Sequence, residues 1–192
     1  FLNENNSPTI WRGPMVSRMT QQFFDDVQWG ELDYLILDLP PGTGDIQLTL
    51  VQKIALNGAL IVTTPQDLSH IDVAKGSDMF KKVNTPILGV VENMSHYILN
   101  GRIDNSNINL FIEDKNVSFN SDGTFSLKLD IFKGDSGKKE SKRSNIPLLG
   151  KIGLDSNISE CCDKGVPYII EFPESLISKE IQSIAKKITN FN

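Results

Sequence analysis

The sequence carries one segment whose residue types and spacing suit phosphate and metal chemistry. The apolar run Leu35-Ile36-Leu37 ends at Asp38, and Leu39-Pro40-Pro41-Gly42-Thr43-Gly44-Asp45 follows. A carboxylate at the end of a buried strand stands at the mouth of a sheet, where it can hold Mg²⁺ through a bound water. Gly42 and Gly44 let the backbone approach a phosphate closely, because glycine has no side chain. The bare pattern is more often a structural turn, so both interpretations stay open at this point.

The elements that would position this segment follow from the apolar periodicity. Apolar runs predict buried strands over Tyr34–Leu37, Ala59–Val62, Ile87–Val91 and Leu148–Ile152. Helix signals predict helices over Pro14–Val27, through Ile46, Leu50, Val51 and Ile54, after a capping box at Ser69 and Asp72, over Ser156–Asp163 and over Glu174–Ile188. This alternation predicts an α/β fold with a doubly wound, mostly parallel sheet. In such sheets, ligands bind outside the carboxyl ends of the strands.

One stretch, residues 97–130, interrupts the alternation because it is rich in Asn, Ser and Asp. Within it, polar and apolar residues alternate over Val117–Phe119 and over Phe125–Leu129. This pattern predicts a β-hairpin whose turn lies at Asp122-Gly123. We interpret the stretch as an inserted hairpin on a single domain that covers residues 1–192, and not as a second domain.

Charge and hydropathy exclude two classes of partner. The formal net charge of −5 argues against a nucleic-acid surface, because phosphate binding depends on clustered Lys and Arg. The basic residues Lys138, Lys139, Lys142 and Arg143 surround Glu140 and are typical of a solvated helix face. The apolar runs are much shorter than the roughly 18 residues that cross a bilayer, and the polar start does not resemble a signal peptide. We therefore predict a cytoplasmic protein without membrane contact.

The cysteines and histidines give weak signals. Cys161 and Cys162 are the two cysteines of the chain, and adjacent cysteines strain a disulfide and lack C-x-x-C spacing. We expect reduced thiols at a helix end, and an intermolecular metal site at the pair stays open. Neither His70 nor His96 has a Ser, Cys or carboxylate at a spacing that implies a catalytic pair, so we expect ordinary surface or capping roles.

Taken with its flanks, the segment around Asp38 resembles the Walker B and switch II segment of the Mrp/ApbC-type P-loop ATPases, relatives of MinD and ParA. Further blocks resemble the family in the family's order, namely Trp11–Met15, Trp29–Tyr34, Val62–Asp67, Gly89–Ser95 and Ile146–Gly150. The insertion and the two chain ends fall outside the resemblance. It implies a P-loop NTPase fold, ATP and Mg²⁺ as cofactors, a homodimer, and iron–sulfur apoproteins as clients.

The resemblance also assigns roles to single residues. Asp38 would be the Walker B carboxylate that holds Mg²⁺ through water, and Asp45 would lie in the switch that senses the γ-phosphate. The nucleotide would be contacted by Pro41, Gly42, Thr43, Gly44, Thr64, Pro65, Asn93, Leu154 and Asp155. In this set the Gly42 amide would face the γ-phosphate, and Asn93 would read adenine, since an amide offers a donor and an acceptor together. Relatives usually have Pro-Leu-Asp where this chain has Gly153-Leu154-Asp155.

Two motifs of the family are absent from this sequence. It contains no G-K-G-G-x-G-K-[ST] loop, whose backbone N–H groups and lysine bind phosphates. We therefore expect a sheet without its P-loop strand, and a polypeptide that does not hydrolyse ATP alone although a full-length parent would. No C-x-x-C follows Asn93-Met94-Ser95, where relatives bridge an iron–sulfur cluster, so a 4Fe–4S cluster is in doubt.

The leading hypothesis is the C-terminal part of an ATP-binding iron–sulfur cluster carrier or assembly ATPase. A non-catalytic scaffold or partner protein with the same fold is one alternative. A MinD- or ParA-like positioning ATPase is another, and the blocks Trp11–Met15 and Asp38–Asp45 favour the leading hypothesis over it.

Overall fold

The computed structural model of the chain describes Arg18, Gln22 and residues 24–39, 45–104 and 109–191. Two compact units divide the chain, one made of residues 1–59 and 74–87 and the other of residues 60–73 and 88–192.

Helices and strands alternate over Asp45–Glu92 and again over Ser136–Lys164. The helices are α1 (Asp45–Lys53), α2 (Asp67–Lys82), α3 (Ser136–Ser144), α4 (Ser156–Lys164), α5 (Tyr168–Glu171) and α6 (Leu176–Thr189). The strands are β1 (Ala59–Thr63), β2 (Ile87–Glu92), β3 (Tyr97–Arg102), β4 (Phe111–Ile112), β5 (Lys115–Asn116), β6 (Thr124–Leu129) and β7 (Leu148–Lys151). Arg18, Gln22, Phe24 and Asp25 are also helical, within the range predicted as the first helix.

The main sheet has the strand order β1-β2-β7, and β2 runs parallel to β7. Val90 lies opposite Leu148, Val91 opposite Gly150. Gly89 has φ +155°, and a Cβ atom there would lie 2.6 Å from Leu149 Cγ. Glycine is required at this position because both the backbone angle and the close approach of β7 exclude a side chain. The prediction of an α/β fold with a parallel sheet is confirmed.

The described core of the second unit lies between β2, β7 and the C-terminal helices. Val91, Leu149 and Ile184 form one buried cluster, and Ile152 and Ile188 pack against it. A second cluster is formed by Cys161, Tyr168 and Ile177, with Ile152, Ile158 and Ile181 packed against it. All four isoleucines of α6 belong to these clusters, so the helix predicted over Glu174–Ile188 buries one apolar face.

The prediction of a buried strand over Tyr34–Leu37 is wrong. These residues are not in a strand, and the side chains of Tyr34 and Ile36 are 57% and 88% exposed. A strand buried on both faces needs hydrogen-bonded neighbours, and the described sheet contains β1, β2 and β7 alone. The apolar run predicted over Ala59–Val62 does form a strand, β1. Leu60 and Val62 are exposed, however, so only one face of β1 is buried.

The predicted hairpin has a different partner strand. β6 pairs antiparallel with β3, with Tyr97 opposite Leu129, and Val117–Phe119 is not a strand. Val117 is buried and Phe119 contacts Phe125 edge to face, at a ring separation of 5.9 Å. The turn itself is confirmed, because the Gly123 N–H donates to the Asn120 carbonyl and Gly123 has φ +78°. The apolar side chains of 117–119 pack beside the hairpin and do not extend its ladder.

Helix ends follow local sequence signals at α4 but not at α2. The helix predicted over Ser156–Asp163 is confirmed as α4: Asp155 caps it by accepting a hydrogen bond from the Asn157 N–H, and Gly165 ends it with φ +67°. The predicted capping box at Ser69 and Asp72 is wrong because α2 begins earlier, at Asp67. The Ser69 hydroxyl lies 2.6 Å from the hydroxyl of Thr64, so it joins the helix to the preceding loop.

Candidate functional site

The first part of the predicted site lies in the first unit. The side chain of Asp38 is exposed, and the residue belongs to neither a helix nor a strand. An exposed carboxylate is free of the burial that would tie it into the scaffold, and it is a suitable donor for a hydrated Mg²⁺ ion. Asp45 is the first residue of α1, although its side chain lies outside the described part. The predicted residues Pro41, Gly42, Thr43 and Gly44 lie outside the described residues.

In the second unit, the ends of β1 and β2 are joined at the carboxyl edge of the sheet. The Asn93 N–H donates to the Thr63 carbonyl at 2.7 Å, which places Asn93 beside the start of the Thr64-Pro65 segment. The Asn93 side-chain oxygen accepts from the Met94 N–H at 2.9 Å. Thr64 and Pro65 lie where β1 gives way to α2, and Pro65 is fully buried. We call Thr64, Pro65 and Asn93 the rim.

The N-terminus of α3 packs directly behind the rim. The Ser136 N–H donates to the Pro65 carbonyl at 3.1 Å, and the hydroxyls of Ser136 and Thr63 lie 2.9 Å apart in a buried contact. Gly134 has φ +128°, and a Cβ atom there would collide with the Pro65 carbonyl. Residues far apart in the sequence thus hold the rim segment from behind.

Leu154 and Asp155 have contacts that fix a loop next to α4. The Leu154 N–H donates to the His96 carbonyl at 2.6 Å. Besides capping α4, Asp155 accepts a hydrogen bond from the Tyr168 hydroxyl at 2.7 Å. Burial raises the pKa of Tyr168, which keeps its hydroxyl a donor at neutral pH. These bonds give Asp155 a structural role beside any contact with a nucleotide.

The expectation that His96 is a surface or capping residue is wrong. His96 is 2% exposed, its Nδ1 lies 2.7 Å from the Ser95 hydroxyl, and its Nε2 lies 3.5 Å from Glu180 Oε1. Burial, then the positive charge of Lys128, lowers the pKa of His96, which favours the neutral imidazole. A Cβ atom on Gly153 would lie 2.9 Å from His96 Nε2. The glycine that departs from the family's pattern therefore makes room for this histidine.

A second buried polar cluster involves Glu140 of α3. Glu140 is fully buried and accepts two hydrogen bonds from Arg143, at 2.8 and 2.9 Å. The Ser144 hydroxyl donates to the same carboxylate at 2.5 Å, and His70 Nε2 lies 3.3 Å from it. The basic residues of α3 therefore do not all belong to a solvated helix face, because Arg143 pairs with a buried carboxylate. Sequence spacing alone could have indicated the pairs Glu140–Arg143 and Glu140–Ser144, because they lie three and four residues apart on one helix.

The two cysteines do not form a pair suited to an iron–sulfur cluster. Cys161 is buried in the cluster that it forms with Tyr168 and Ile177, whereas Cys162 is exposed. Burial, followed by the charges of Glu171 and Glu160, raises the pKa of Cys161, whereas cluster ligation requires the thiolate. Among the residues that the structure describes, no three His, Cys, Asp or Glu side chains are grouped to hold a metal ion.

No helix in the described ranges is long and apolar enough to span a membrane.

Comparison with known sequences decides the family. The family described as ParA, NUBPL iron-transfer P-loop NTPase, matches residues 1–128 and 112–189. The chain belongs to this family. The family resemblance deduced from the Asp38 segment and its flanking blocks is therefore confirmed. The expectation that the insertion and the chain ends fall outside it is wrong, because the matched ranges include residues 97–130 and all but the last three residues of the chain.

Relatives in this family carry names that concern iron–sulfur clusters. The chain is 42% identical over 188 residues to the iron–sulfur cluster carrier protein of Synechocystis, covering 98% of this chain and 47% of that protein. It is 38% identical over 188 residues to the iron–sulfur cluster transfer protein NUBPL of Dictyostelium discoideum, covering 98% of this chain and 51% of that protein. The chain spans about half the length of the curated relatives that it matches.

Solved structures of related proteins share the fold. A nucleotide-binding protein of Archaeoglobus fulgidus in complex with ADP superimposes with a TM-score of 0.58 and 32% identity, covering 84% of this chain and 59% of that one. The cell division ATPase MinD of Pyrococcus furiosus superimposes with a TM-score of 0.59 at 22% identity, covering 94% of this chain and 60% of that one. At this identity the MinD likeness shows the fold alone.

Proposed function

We propose that this chain is the C-terminal part of an ATP-binding iron–sulfur cluster carrier or assembly ATPase. It supplies the Walker B carboxylate, the switch and the base-contacting rim of the nucleotide site. The lysine-bearing phosphate loop is supplied by a preceding part of the same protein. This division of labour explains why the sequence contains the Asp38–Asp45 segment but no G-K-G-G-x-G-K-[ST] loop.

The observation that carries the proposal is the junction of β1 and β2. The hydrogen bond from Asn93 to Thr63 brings the polar rim residues together at the carboxyl edge of the sheet, where doubly wound folds bind ligands. The ADP complex of the Archaeoglobus protein, a relative at 32% identity, supports a nucleotide as that ligand. The names of the relatives support an iron–sulfur cluster as the cargo.

Within this proposal, Asp38 holds Mg²⁺ through a water molecule and Asp45 belongs to the switch that senses the γ-phosphate. Asn93 offers its amide to the adenine base, with Thr64 and Pro65 as the neighbouring wall. The backbone of Pro41, Gly42, Thr43 and Gly44 faces the phosphates, and Leu154 and Asp155 lie near the base. When bound, Mg²⁺ supplies charge neutralisation at the phosphate oxygens.

The assembled protein acts as a homodimer in the cytoplasm and delivers clusters to iron–sulfur apoproteins. A protein that neither binds ATP nor carries a cluster would instead be a scaffold with the same fold. A positioning ATPase would bind ATP but leave apoproteins without a cluster. The ATP-binding experiment below separates the scaffold from the two ATPases.

The nucleotide part is tested by joining this chain to the coding sequence upstream of Phe1 and measuring binding of a fluorescent ATP analogue. We expect saturable binding that weakens when Mg²⁺ is removed with a chelator. The chain expressed alone serves as the matched control, and we expect it neither to bind tightly nor to hydrolyse ATP. Binding by neither protein would favour the scaffold and contradict the proposal.

The cluster part is tested by anaerobic reconstitution of the same two proteins with iron and sulfide. We expect that this chain alone does not retain a stoichiometric cluster, because one of its two thiols is buried and C-x-x-C is absent. Thiolate-to-iron absorbance and iron content report the result. A stoichiometric cluster on the chain alone that is lost in Cys162→Ser would contradict this expectation and show that Cys162 is a ligand.

A further inference from the structure

Glu92, the last residue of β2, is a buried carboxylate that no proposed step of the nucleotide site uses. Its side chain is 1% exposed, and its Oε1 lies 2.5 Å from Lys151 Nζ on β7. Its Oε2 accepts a hydrogen bond from the Gly137 N–H at 2.9 Å. Lys151 is 43% exposed, so solvent screens its charge and the ion pair is a weak source of stability. Its position, one residue before Asn93, indicates another role.

The contact with Gly137 places the carboxylate at the N-terminus of α3. The N-cap residue of this helix, Asp135, makes no capping hydrogen bond with its side chain. Glu92 therefore satisfies one of the first N–H groups of α3 from outside the helix, and its negative charge lies at the positive end of the helix dipole. A Cβ atom on Gly137 would lie 2.9 Å from Glu92 Cβ and 3.0 Å from Oε2, so glycine permits this contact.

The same helix end also holds the other half of the rim. Ser136, next to Gly137, donates its N–H to the Pro65 carbonyl and pairs its hydroxyl with Thr63. One rigid helix N-terminus is therefore bonded to Pro65 directly and to β2 through Glu92. The distance between the Thr64-Pro65 wall and Asn93 depends on both attachments.

The backbone at the end of β2 is bonded on both sides. The Glu92 carbonyl accepts from the Ile152 N–H at 2.9 Å, and the Asn93 N–H donates to Thr63. Just beyond, the Ser95 N–H donates to the Ile152 carbonyl at 2.9 Å. The Glu92 carboxylate adds a third support, from α3. Asn93 thus leaves the sheet in a direction that three elements determine.

We propose that Glu92 is a positioning residue that fixes Asn93 against Pro65 through the N-terminus of α3, and thereby sets the preference for adenine over guanine nucleotides. This inference rests on the proposed nucleotide site. Guanine presents a different pattern of donors and acceptors from adenine, so a shift of the Asn93 amide relative to the wall changes which base it fits. Positioning of this kind needs no contact between Glu92 and the nucleotide.

The first test uses amide hydrogen exchange on this chain in the Glu92→Gln variant. Glutamine keeps the shape, but its neutral carbonyl is a weaker acceptor for the Gly137 N–H and no longer places a negative charge at the positive end of the α3 dipole. We expect the Asn93 and Ser95 amides to exchange about tenfold faster, equivalent to about 1.4 kcal/mol, while the amides of α6 are unchanged. The matched control is Ile184→Val, a core change that lowers stability without touching the rim.

The second test measures the affinities of ATP and GTP for the protein that includes the upstream half. We expect Glu92→Gln to reduce the ratio of ATP to GTP affinity about fivefold to tenfold, because a misplaced amide loses its discrimination. Ile184→Val should keep the ratio of the unchanged protein. Gly137→Ala, which pushes on Glu92 from α3, should change the ratio in the same direction as Glu92→Gln.

The outcomes separate this inference from the proposed function. Selective exchange at the rim together with a reduced ATP preference supports the inference. If the unchanged protein prefers ATP and Glu92→Gln behaves like Ile184→Val, the inference is overturned and the nucleotide site stands. If the unchanged protein binds neither nucleotide, the proposed function fails and this inference fails with it.

Discussion

Replacing Asp38 with asparagine should lower Mg²⁺-dependent ATP hydrolysis about 10- to 100-fold in the protein that includes the upstream half, which is the usual cost of losing an outer-shell ligand. Asparagine keeps the size and one oxygen of the side chain but loses its negative charge. The water that bridges the carboxylate to Mg²⁺ is then bound less firmly, and the ion is less well fixed at the phosphates. Phosphate release at increasing Mg²⁺ concentration measures the effect.

The matched control for this substitution is Asp33→Asn. Asp33 is exposed, lies in the same segment as Asp38, and its substitution removes the same unit of charge. We expect Asp33→Asn to leave the hydrolysis rate unchanged, and Asp38→Asn to require a higher Mg²⁺ concentration. Equal rates for the two variants at every Mg²⁺ concentration would remove Asp38 from the metal site.

Local sequence signals predicted the elements whose formation depends on neighbours in the chain. The α4 helix begins at an N-cap aspartate and ends at a glycine with positive φ, and both signals lie within the helix's own sequence. The isoleucines of α6 recur at helical spacing, so they lie on one face of the helix, and that face packs into the two core clusters. The contact between Asn93 and Thr63 is consistent with the predicted parallel sheet, because the carboxyl ends of neighbouring parallel strands meet at one edge.

Strand pairing could not be predicted in the same way. An apolar run such as Tyr34–Leu37 favours a strand, but a strand forms only where another strand supplies hydrogen bonds. The alternation of polar and apolar residues in β6 likewise predicts a hairpin strand. Its partner, however, is β3, which lies at the other end of the inserted stretch. The choice of partner depends on packing across the whole chain, and periodicity carries no information about it.

The buried polar residues were missed for a related reason. Glu92 contacts Gly137 45 positions later in the chain, and His96 faces Glu180 of the C-terminal helix. Each of these side chains looks like a surface residue when only its neighbours in sequence are considered. The available signal was the run of small residues Gly134–Gly137, since glycine and serine often mark close approaches of backbone.

The largest effect on stability is expected for Glu140→Ala, which should lower the free energy of unfolding by about 3 kcal/mol. The substitution removes the carboxylate that accepts hydrogen bonds from Arg143 and Ser144, so the Arg143 guanidinium loses its oppositely charged partner. Arg143 is 34% exposed and can regain water, which keeps the loss at the lower end of the range for broken buried pairs. Chemical denaturation of this chain at neutral pH measures the change.

Two further variants make the Glu140 result specific. Lys138→Ala changes an exposed residue of the same helix and should alter the unfolding free energy by no more than about 0.5 kcal/mol. The double variant Glu140→Met with Arg143→Leu replaces both charges by apolar groups, so it should recover part of the loss that Glu140→Ala causes. If Glu140→Ala is as stable as Lys138→Ala, the carboxylate does not anchor α3. The double variant could also prove less stable than Glu140→Ala. Removing the charge of Arg143 would then recover none of the lost unfolding free energy, and the carboxylate would stabilise α3 through groups other than Arg143.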